Sequence, residues 1–459
     1  MSAPTRRWFL AAVAASTLGS LAGCQGLREA DDEGTANEPT DDGDDGSSEP
    51  VERDSLETEA VEIVDALADG RIEDVHDRVA PTWAEALNPG VLEQFWMGYT
   101  AIGGPFERVD DAEETTRYGY DAVELDLEFE RGEHAMVLLF DDGLVDLLPD
   151  DEYRPPTYAA DDADRDSIVV ERSDCQMAGT LTRPSNADDA PGVVLVHGSG
   201  PTDAEHTIGA TKIFEDLALG LAEHGVATLQ YDKRTWACEG GLEPAEQTVD
   251  AVAVDDALEA ATVVREADGV DPDRVVIVGL SLGGLLTPRI LERDPDLAGG
   301  VALAAPIRSF QTLIGEQFAY LAQVGEYERP EVAAQYEEWH DRIDDLDAGE
   351  YDDGEVIFDY PGALYRSLDE YDHVETAREL DRPLYFLQGE RDYQVTVDDD
   401  FAGWQEALAD RPDTAFDSYD ELNHLFTPGE GPSVQFEYLL ANSVDRRVVD
   451  DVADWIATL

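Results

Sequence analysis

"VVIVGLSLGGLL", Val275 to Leu286, is the stretch that decides the fold. A run of β-branched residues ends in Gly279, and a serine follows between glycines before the apolar pattern resumes. This pattern predicts a buried strand, a sharp turn and a helix, with the Ser281 hydroxyl lifted clear of the strand end. Gly279 and Gly283 fit, because side chains there would collide in so tight a turn. The N–H of Leu282, at the helix N-terminus, would face any negative charge developing beside Ser281. A five-residue pattern also arises by chance, so its surroundings have to decide.

Those surroundings are regular. Short apolar runs at Val193–Val196, Val226–Tyr231, Val275–Gly279, Val301–Ala304, Pro383–Gln388 and Ala415–Tyr419 alternate with amphipathic segments long enough for crossover helices. Strands that are apolar throughout are covered on both faces, which predicts a doubly wound, mainly parallel sheet. Ahead of them, "SIVVERSDCQMAGTLTRP" (Ser167–Pro184) reads as two antiparallel strands. Between Pro306 and Arg382 the rhythm breaks, and residues of about 307–380 read as a mostly helical cap. Its aromatics (Phe318, Tyr320, Tyr327, Tyr336, Trp339, Phe358, Tyr360) are expected to pack the cap helices.

Acyl transfer by a serine needs a base, an orienting carboxylate and N–H donors for an oxyanion. "VVLVHGSGPTD" (Val193–Asp203) places His197-Gly198-Ser199-Gly200 directly after a strand, so Ser199 and Gly200 are candidate donors beside Leu282. His197 reads as a structural residue of that loop. "PLYFLQGERDYQV" (Pro383–Val395) offers Asp392 as the acid, with Glu390 as a local alternative, while Asp398 to Asp400 fall where a helix should begin. "TAFDSYDELNHLF" (Thr414–Phe426) offers His424 as the base. The chain order is then Ser281, Asp392, His424.

On these motifs, together with "YDKR" at Tyr231–Arg234 and "GLSLGG" at Gly279–Gly284, residues 167–459 resemble the α/β-hydrolase family, near its exported-esterase and dienelactone-hydrolase branches. The resemblance implies a serine hydrolase acting on small-molecule carboxylic esters through an acyl-enzyme, with no metal or organic cofactor. In similar esterases a glycine-rich turn usually follows "YDKR"; here Thr235-Trp236-Ala237-Cys238 stands instead, which leaves the local loop shape and the pocket edge open. A peptidase, a thioesterase or acyltransferase of the same fold, and a silent binding protein are the alternatives.

The rest of the chain sets its context. Residues 52–150 read as helices followed by an antiparallel meander turning at Arg131-Gly132 and Asp142-Gly143, a small α+β domain that resembles the nuclear-transport-factor-like domains found ahead of exported hydrolases. Its His76 and His134 read as surface or packing residues, and its role as binding or spacing; residues 151–166 form a linker. At the N-terminus, Thr5-Arg6-Arg7-Trp8-Phe9-Leu10 resembles a twin-arginine export signal, and Leu21-Ala22-Gly23-Cys24 a lipobox, making residues 1–23 a leader and Cys24 the lipidated residue. Residues 24–51 follow as an acidic tether. This predicts anchoring to the outer face of the cytoplasmic membrane.

Acidic residues outnumber basic ones 105 to 30, for a formal charge of −75, and Lys212 and Lys233 are the only lysines. Such a balance excludes nucleic acid as a partner and resembles that of extreme halophiles, haloarchaea in particular. Self-repulsion on this scale is relieved by molar salt, where the Debye length falls to about 3 Å. Cys175 and Cys238 could pair outside the cell, but the sequence favours two buried thiols.

Overall fold

The computed structural model describes residues 55–459 apart from 151, 161, 186, 187 and 239; the expected leader, Cys24 and the tether lie outside the described residues. The first unit opens with helices α1 (Leu56–Ala68), α2 (Ile72–His76) and α3 (Pro89–Gly103). Ser55 caps α1 by accepting from Thr58 N–H, and Asn88 caps α3 by accepting from Val91 N–H, just ahead of Pro89. Strands β1 (Phe106–Arg117), β2 (Tyr120–Phe129), β3 (Gly132–Phe140) and β4 (Leu144–Pro149) follow as an antiparallel meander in chain order. His76 Nε2 lies 3.0 Å from the Ala84 carbonyl, and His134 packs edge-on against Tyr99 and Phe129, so both histidines are local packing residues.

The second unit is built on an eight-stranded sheet. Its strands are β5 (Asp164–Arg172), β6 (Cys175–Arg183), β7 (Ala190–Val196), β8 (Ala227–Tyr231), β9 (Val270–Leu280), β10 (Gly299–Leu303), β11 (Leu384–Gly389) and β12 (Thr414–Tyr419). They lie in the order β12-β11-β10-β9-β7-β8-β6-β5. Strands β7 to β12 pair in parallel, and β6 and β5 close one edge antiparallel. Val275–Leu280 are buried along their whole length because helices cover both faces: α4 (Ile213–Glu223), α5 (Asp255–Arg265), α6 (Leu282–Arg293) and the C-terminal α9 (Arg446–Ala457). The chain therefore has the mainly parallel, doubly wound sheet that its apolar runs predict. Strand order reverses beside β7, where an open sheet of this kind leaves a crevice at its carboxyl edge.

Between β10 and β11 the chain leaves the sheet to form helices α7 (Phe310–Gln323) and α8 (Pro330–Asp347), a short hairpin (Val356–Ile357 with Tyr360–Pro361) and two further short helices. Trp339, Phe318 and Phe358 pack together inside this cap, with ring centroids 4.6 to 6.4 Å apart. Two of the aromatics expected to pack the cap also reach beyond it. Tyr320 stacks on Tyr393 of the sheet unit at 4.8 Å, and Tyr360, which packs edge-on against Phe310 of the cap at 4.9 Å, also lines the space around Ser281. The turn residues Phe358 and Asp359 both have positive φ (47° and 68°), the conformation a tight two-residue hairpin turn requires, and this turn delivers Tyr360.

The two units are packed against each other through α3, which is buried on most sides. One side carries its own sheet, with Trp96 against Phe106 and Phe129. Another meets the cap, where Gln94 Nε2 donates to the Leu321 and Val324 carbonyls at 3.0 Å each, and Arg329 Nη1 donates to Gln94 Oε1 at 3.1 Å. Phe95 packs edge-on against Phe436, and a side chain at Gly98 would come within 3.0 Å of the Glu437 nitrogen.

Cys175 and Cys238 form a disulfide, with Cα atoms 5.9 Å apart and a sequence separation of 63, which corrects the expectation of two buried thiols. Its basis is strand pairing. β6 runs antiparallel to β8 with Gly179 opposite Tyr231, so the start of β6 lies beside the chain just past β8, where Cys238 follows the one-turn helix Arg234–Ala237. Closing a loop of this length constrains the unfolded chain by about 4 kcal/mol on loop entropy alone. Replacing both cysteines by alanine is expected to lower the denaturant midpoint accordingly; an unchanged midpoint would show that the crosslink does not stabilise the fold.

Candidate active site

Ser281 stands between β9 and α6 with φ 54° and ψ −116°, a sparsely populated conformation for a residue with a side chain. The turn is pinned from both sides: Ser281 N–H donates to the Leu303 carbonyl at 2.8 Å, and its own carbonyl accepts from Leu285 N–H at 3.0 Å. Glycine is required around it by close approach. A side chain at Gly283 would strike the carbonyls of Val196 and His197, the latter at 2.7 Å, and one at Gly279 would strike Gly283 and the Thr287 hydroxyl.

Asp392 follows β11 and His424 follows β12, both at the carboxyl end of the sheet with Ser281. His424 Nδ1 donates to Asp392 Oδ2 at 2.7 Å, and both side chains are nearly or wholly buried. Asp392 is held in turn by the backbone N–H groups of Gln394 (2.7 Å) and Val395 (3.0 Å) on Oδ1 and by Gln388 Nε2 (3.1 Å) on Oδ2. Four donors thus replace the water that burial removes. Glu390 turns away, accepting instead from the exposed Ser418 hydroxyl at 2.7 Å. Asp398, Asp399 and Asp400 open the helical turn that starts at Val397, and Asp400 is bound to Arg308. Of the acids near β11, only Asp392 meets the histidine.

The loop after β7 passes over Ser281. A side chain at Gly198 would lie 3.3 Å from Ser281 Cβ and 3.9 Å from its hydroxyl oxygen. His197 bonds the Asp203 carbonyl within the loop at 3.1 Å, a structural role as its position suggests. Beneath lies Lys233, buried, whose Nζ donates to the Gly198 carbonyl at 2.6 Å and the Gly200 carbonyl at 2.8 Å. Because a trans peptide points its N–H opposite to its C=O, anchoring the Gly198 carbonyl on Lys233 turns the Ser199 N–H the other way. Burial pushes the Lys233 ammonium down to about 7, and burial, with Lys233 nearby, keeps the imidazoles of His197 and His206 neutral, that of His206 down to about 3.

Two spaces adjoin the serine. A narrow cleft is lined by Ser199, Ser281, Leu282, Phe310, Tyr360 and Gln394. Beside it, a cavity of about 230 Å³ is bounded by Gly200, Leu282, Tyr360, Leu364, Lys233 and the Cys175–Cys238 disulfide. Leu282 and Tyr360 are common to both, and Tyr360 hydrogen-bonds to Ser199. The candidate donors Leu282, Ser199 and Gly200 thus line these two spaces. Lys233, Tyr360 and Gln394 are the site residues that sequence reading missed. Lys233 alone carried a signal, being one of two lysines retained in a chain that otherwise uses arginine.

Comparison with known proteins agrees with this architecture. Residues 193–438 match the model of the alpha/beta hydrolase family, and residues 60–143 match that of a protein family of unknown function. The chain is 33% identical to esterase EstD of Thermotoga maritima over 80% of its own length and 86% of that protein. Solved structures that resemble it include an esterase of Pyrococcus furiosus (15% identity, 67% of this chain and 97% of that one, TM-score 0.42) and Est1E of Butyrivibrio proteoclasticus (13% identity, 63% and 99%, TM-score 0.42). At such scores the structural likeness adds nothing to the sequence match. The chain belongs to the alpha/beta hydrolase family and is esterase-like within it.

Lys233 makes a pH-dependent contribution that can be measured. Between about pH 7 and 10.5 the unfolded chain holds a proton on this amine that the folded protein has released. The unfolded state therefore binds more protons, and stability rises with pH across the window, by at most about 1.4 kcal/mol per pH unit. The difference in unfolding free energy between wild type and Lys233→Met is expected to shift in favour of wild type from pH 7 to pH 10. A difference that stays flat over that range would show that the amine is not held in a desolvated site.

Proposed function

We propose that the protein is a serine esterase that hydrolyses uncharged carboxylic esters through an acyl-enzyme. The observation that carries this reading is the buried 2.7 Å bond from His424 to Asp392, on loops at the same sheet end as the Ser281 turn. With Nδ1 committed to Asp392, His424 has Nε2 for the serine proton. Ser281 attacks the acyl carbonyl as His424 takes that proton, and Asp392 stabilises the imidazolium. The oxyanion is held by the N–H groups of Leu282, at the start of α6, and of the Ser199–Gly200 loop. His424 then protonates the leaving alcohol and afterwards activates the water that releases the acid.

The character of the larger cavity supports an uncharged acyl group. Its cations are already engaged, Lys233 by two carbonyls and Arg234 by Asp256 and Asp174, while Leu242, Val252, Leu282, Pro361 and Leu364 supply an apolar lining. An apolar cavity of about 150 Å³ holds a benzene ring, so this one suits an acyl group of roughly six to eight carbons or a single ring. We further propose export by the twin-arginine route, lipid anchoring at Cys24 and a requirement for high salt, which the leader motifs and the charge of −75 support.

The test is hydrolysis of a nitrophenyl ester series in multimolar potassium chloride, with Ser281→Ala and His424→Ala beside wild type. Both variants are expected to lose activity by about 10³-fold or more, and wild-type kcat/KM should fall once the acyl chain outgrows the cavity. Undiminished turnover in folded Ser281→Ala would refute the mechanism. A folded wild type that cleaves peptides but no ester would replace the substrate class.

A further inference from the structure

The acid and the base of the site stand on separate loops, and the residue before each turns its side chain away from the cleft. Arg391 precedes Asp392 and Asn423 precedes His424. Both side chains end on one carboxylate. Glu437, 1% exposed, accepts from Arg391 Nη2 at 2.8 Å, from Asn423 Nδ2 at 2.8 Å and from the Ser433 hydroxyl. Arg391 also donates through Nε to the Gly431 carbonyl at 2.9 Å, and its backbone N–H donates to the Leu422 carbonyl at 2.9 Å. Asn423 Oδ1 accepts from Leu425 N–H (3.0 Å), Thr427 N–H (3.2 Å) and the Thr427 hydroxyl (3.1 Å), which shapes the loop that presents His424.

A buried ion pair of this kind is poor evidence for stability, because desolvating both charges offsets their attraction. It does impose geometry. We propose that Glu437 is a positioning residue, fixing the loop of Asp392 against the loop of His424 so that the two side chains meet in register; this rests on the esterase mechanism above. The segment that carries Glu437 is itself held by the first domain and the cap. Glu430 N–H donates to the Ala101 carbonyl at the end of α3 at 2.9 Å, and Gly98 and Phe95 pack on Glu437 and Phe436. From the cap, the Tyr320 hydroxyl donates to the Ser433 carbonyl at 2.9 Å, and Tyr320, Tyr393 and Tyr438 form one stack with centroid spacings of 4.8 and 6.3 Å. Tyr393 adjoins Asp392 and Tyr438 adjoins Glu437, so the acid loop is gripped from two directions. The small domain thus supports the catalytic geometry without touching the substrate space.

Glu437→Gln keeps the volume and one acceptor but presents donors to Arg391. Assayed on the best nitrophenyl ester beside Ser281→Ala, it is expected to lower kcat by roughly 10- to 100-fold with KM within about threefold, in a protein that still melts cooperatively. Wild-type kcat in folded Glu437→Gln, with Ser281→Ala inactive, would overturn the positioning role and leave the mechanism standing. A kcat loss that only matches the loss of folded protein would overturn it too, whereas turnover surviving in Ser281→Ala would remove the mechanism on which it rests. Should Glu437→Gln not fold, Arg391→Lys decides: it keeps the charge but not the fork that also reaches the Gly431 carbonyl. Reduced kcat with KM held there supports the role, and unchanged kcat overturns it.

Discussion

The turn at Ser281 is the constraint from which the rest follows. The chain passes from a buried strand into a helix through one residue at positive φ, which is possible only because Gly279 and Gly283 present no side chains to the backbone they touch. A conformation of this kind costs about 1–3 kcal/mol, and it persists because β9 is flanked on both sides, by β7 and β10, and cannot relax. The close contact of Gly283 with Val196 and His197 also fixes where the loop after β7 runs, directly above the serine. Strand packing, the serine's exposure and the position of the candidate oxyanion donors are one geometric fact.

Burial sorts the 105 carboxylates of this chain. Most of those among the described residues are exposed and contribute charge. The few buried among the described residues make specific contacts: Asp146 with the Leu147 N–H, Asp216 with the Tyr153 hydroxyl and the Val444 N–H, Asp392 with His424, and Asp256, Glu215, Asp400 and Glu437 with Arg234, Arg165, Arg308 and Arg391. Arginine suits these sites because its fork serves two or more acceptors at once. Lysine stands at 233, where its amine reaches the Gly198 and Gly200 carbonyls. The interior therefore reads as a set of specific clamps on loops, laid over an apolar sheet that does most of the folding.

Sheet, elbow and the chain order of Ser281, Asp392 and His424 were legible because each depends on short-range pattern: apolar runs for buried strands, glycines for the turn, position after a strand for each loop. The disulfide was not, since Cys175 and Cys238 are brought together by the antiparallel pairing of β6 with β8 and not by anything near either residue. Tyr360 was hidden among cap aromatics, because a two-residue turn at Phe358-Asp359 aims it and neither residue is the usual glycine or asparagine. Glu437 looked like any other of the 105 acids; its meaning comes from Arg391, 46 residues away, and Asn423, 14 away. The leader and tether stand on motif and composition alone.

The central claim is that Ser281 is the nucleophile, and the most direct measurement is covalent. Folded protein in multimolar potassium chloride would be treated with an alkyl nitrophenyl phosphonate, digested, and the adduct located by mass spectrometry. The expected result is one phosphonyl group per chain, on the peptide carrying Gly279–Gly284 and on Ser281 itself, absent from Ser281→Ala. An adduct on Ser199 or elsewhere, or an active enzyme that takes up no label, would contradict the account.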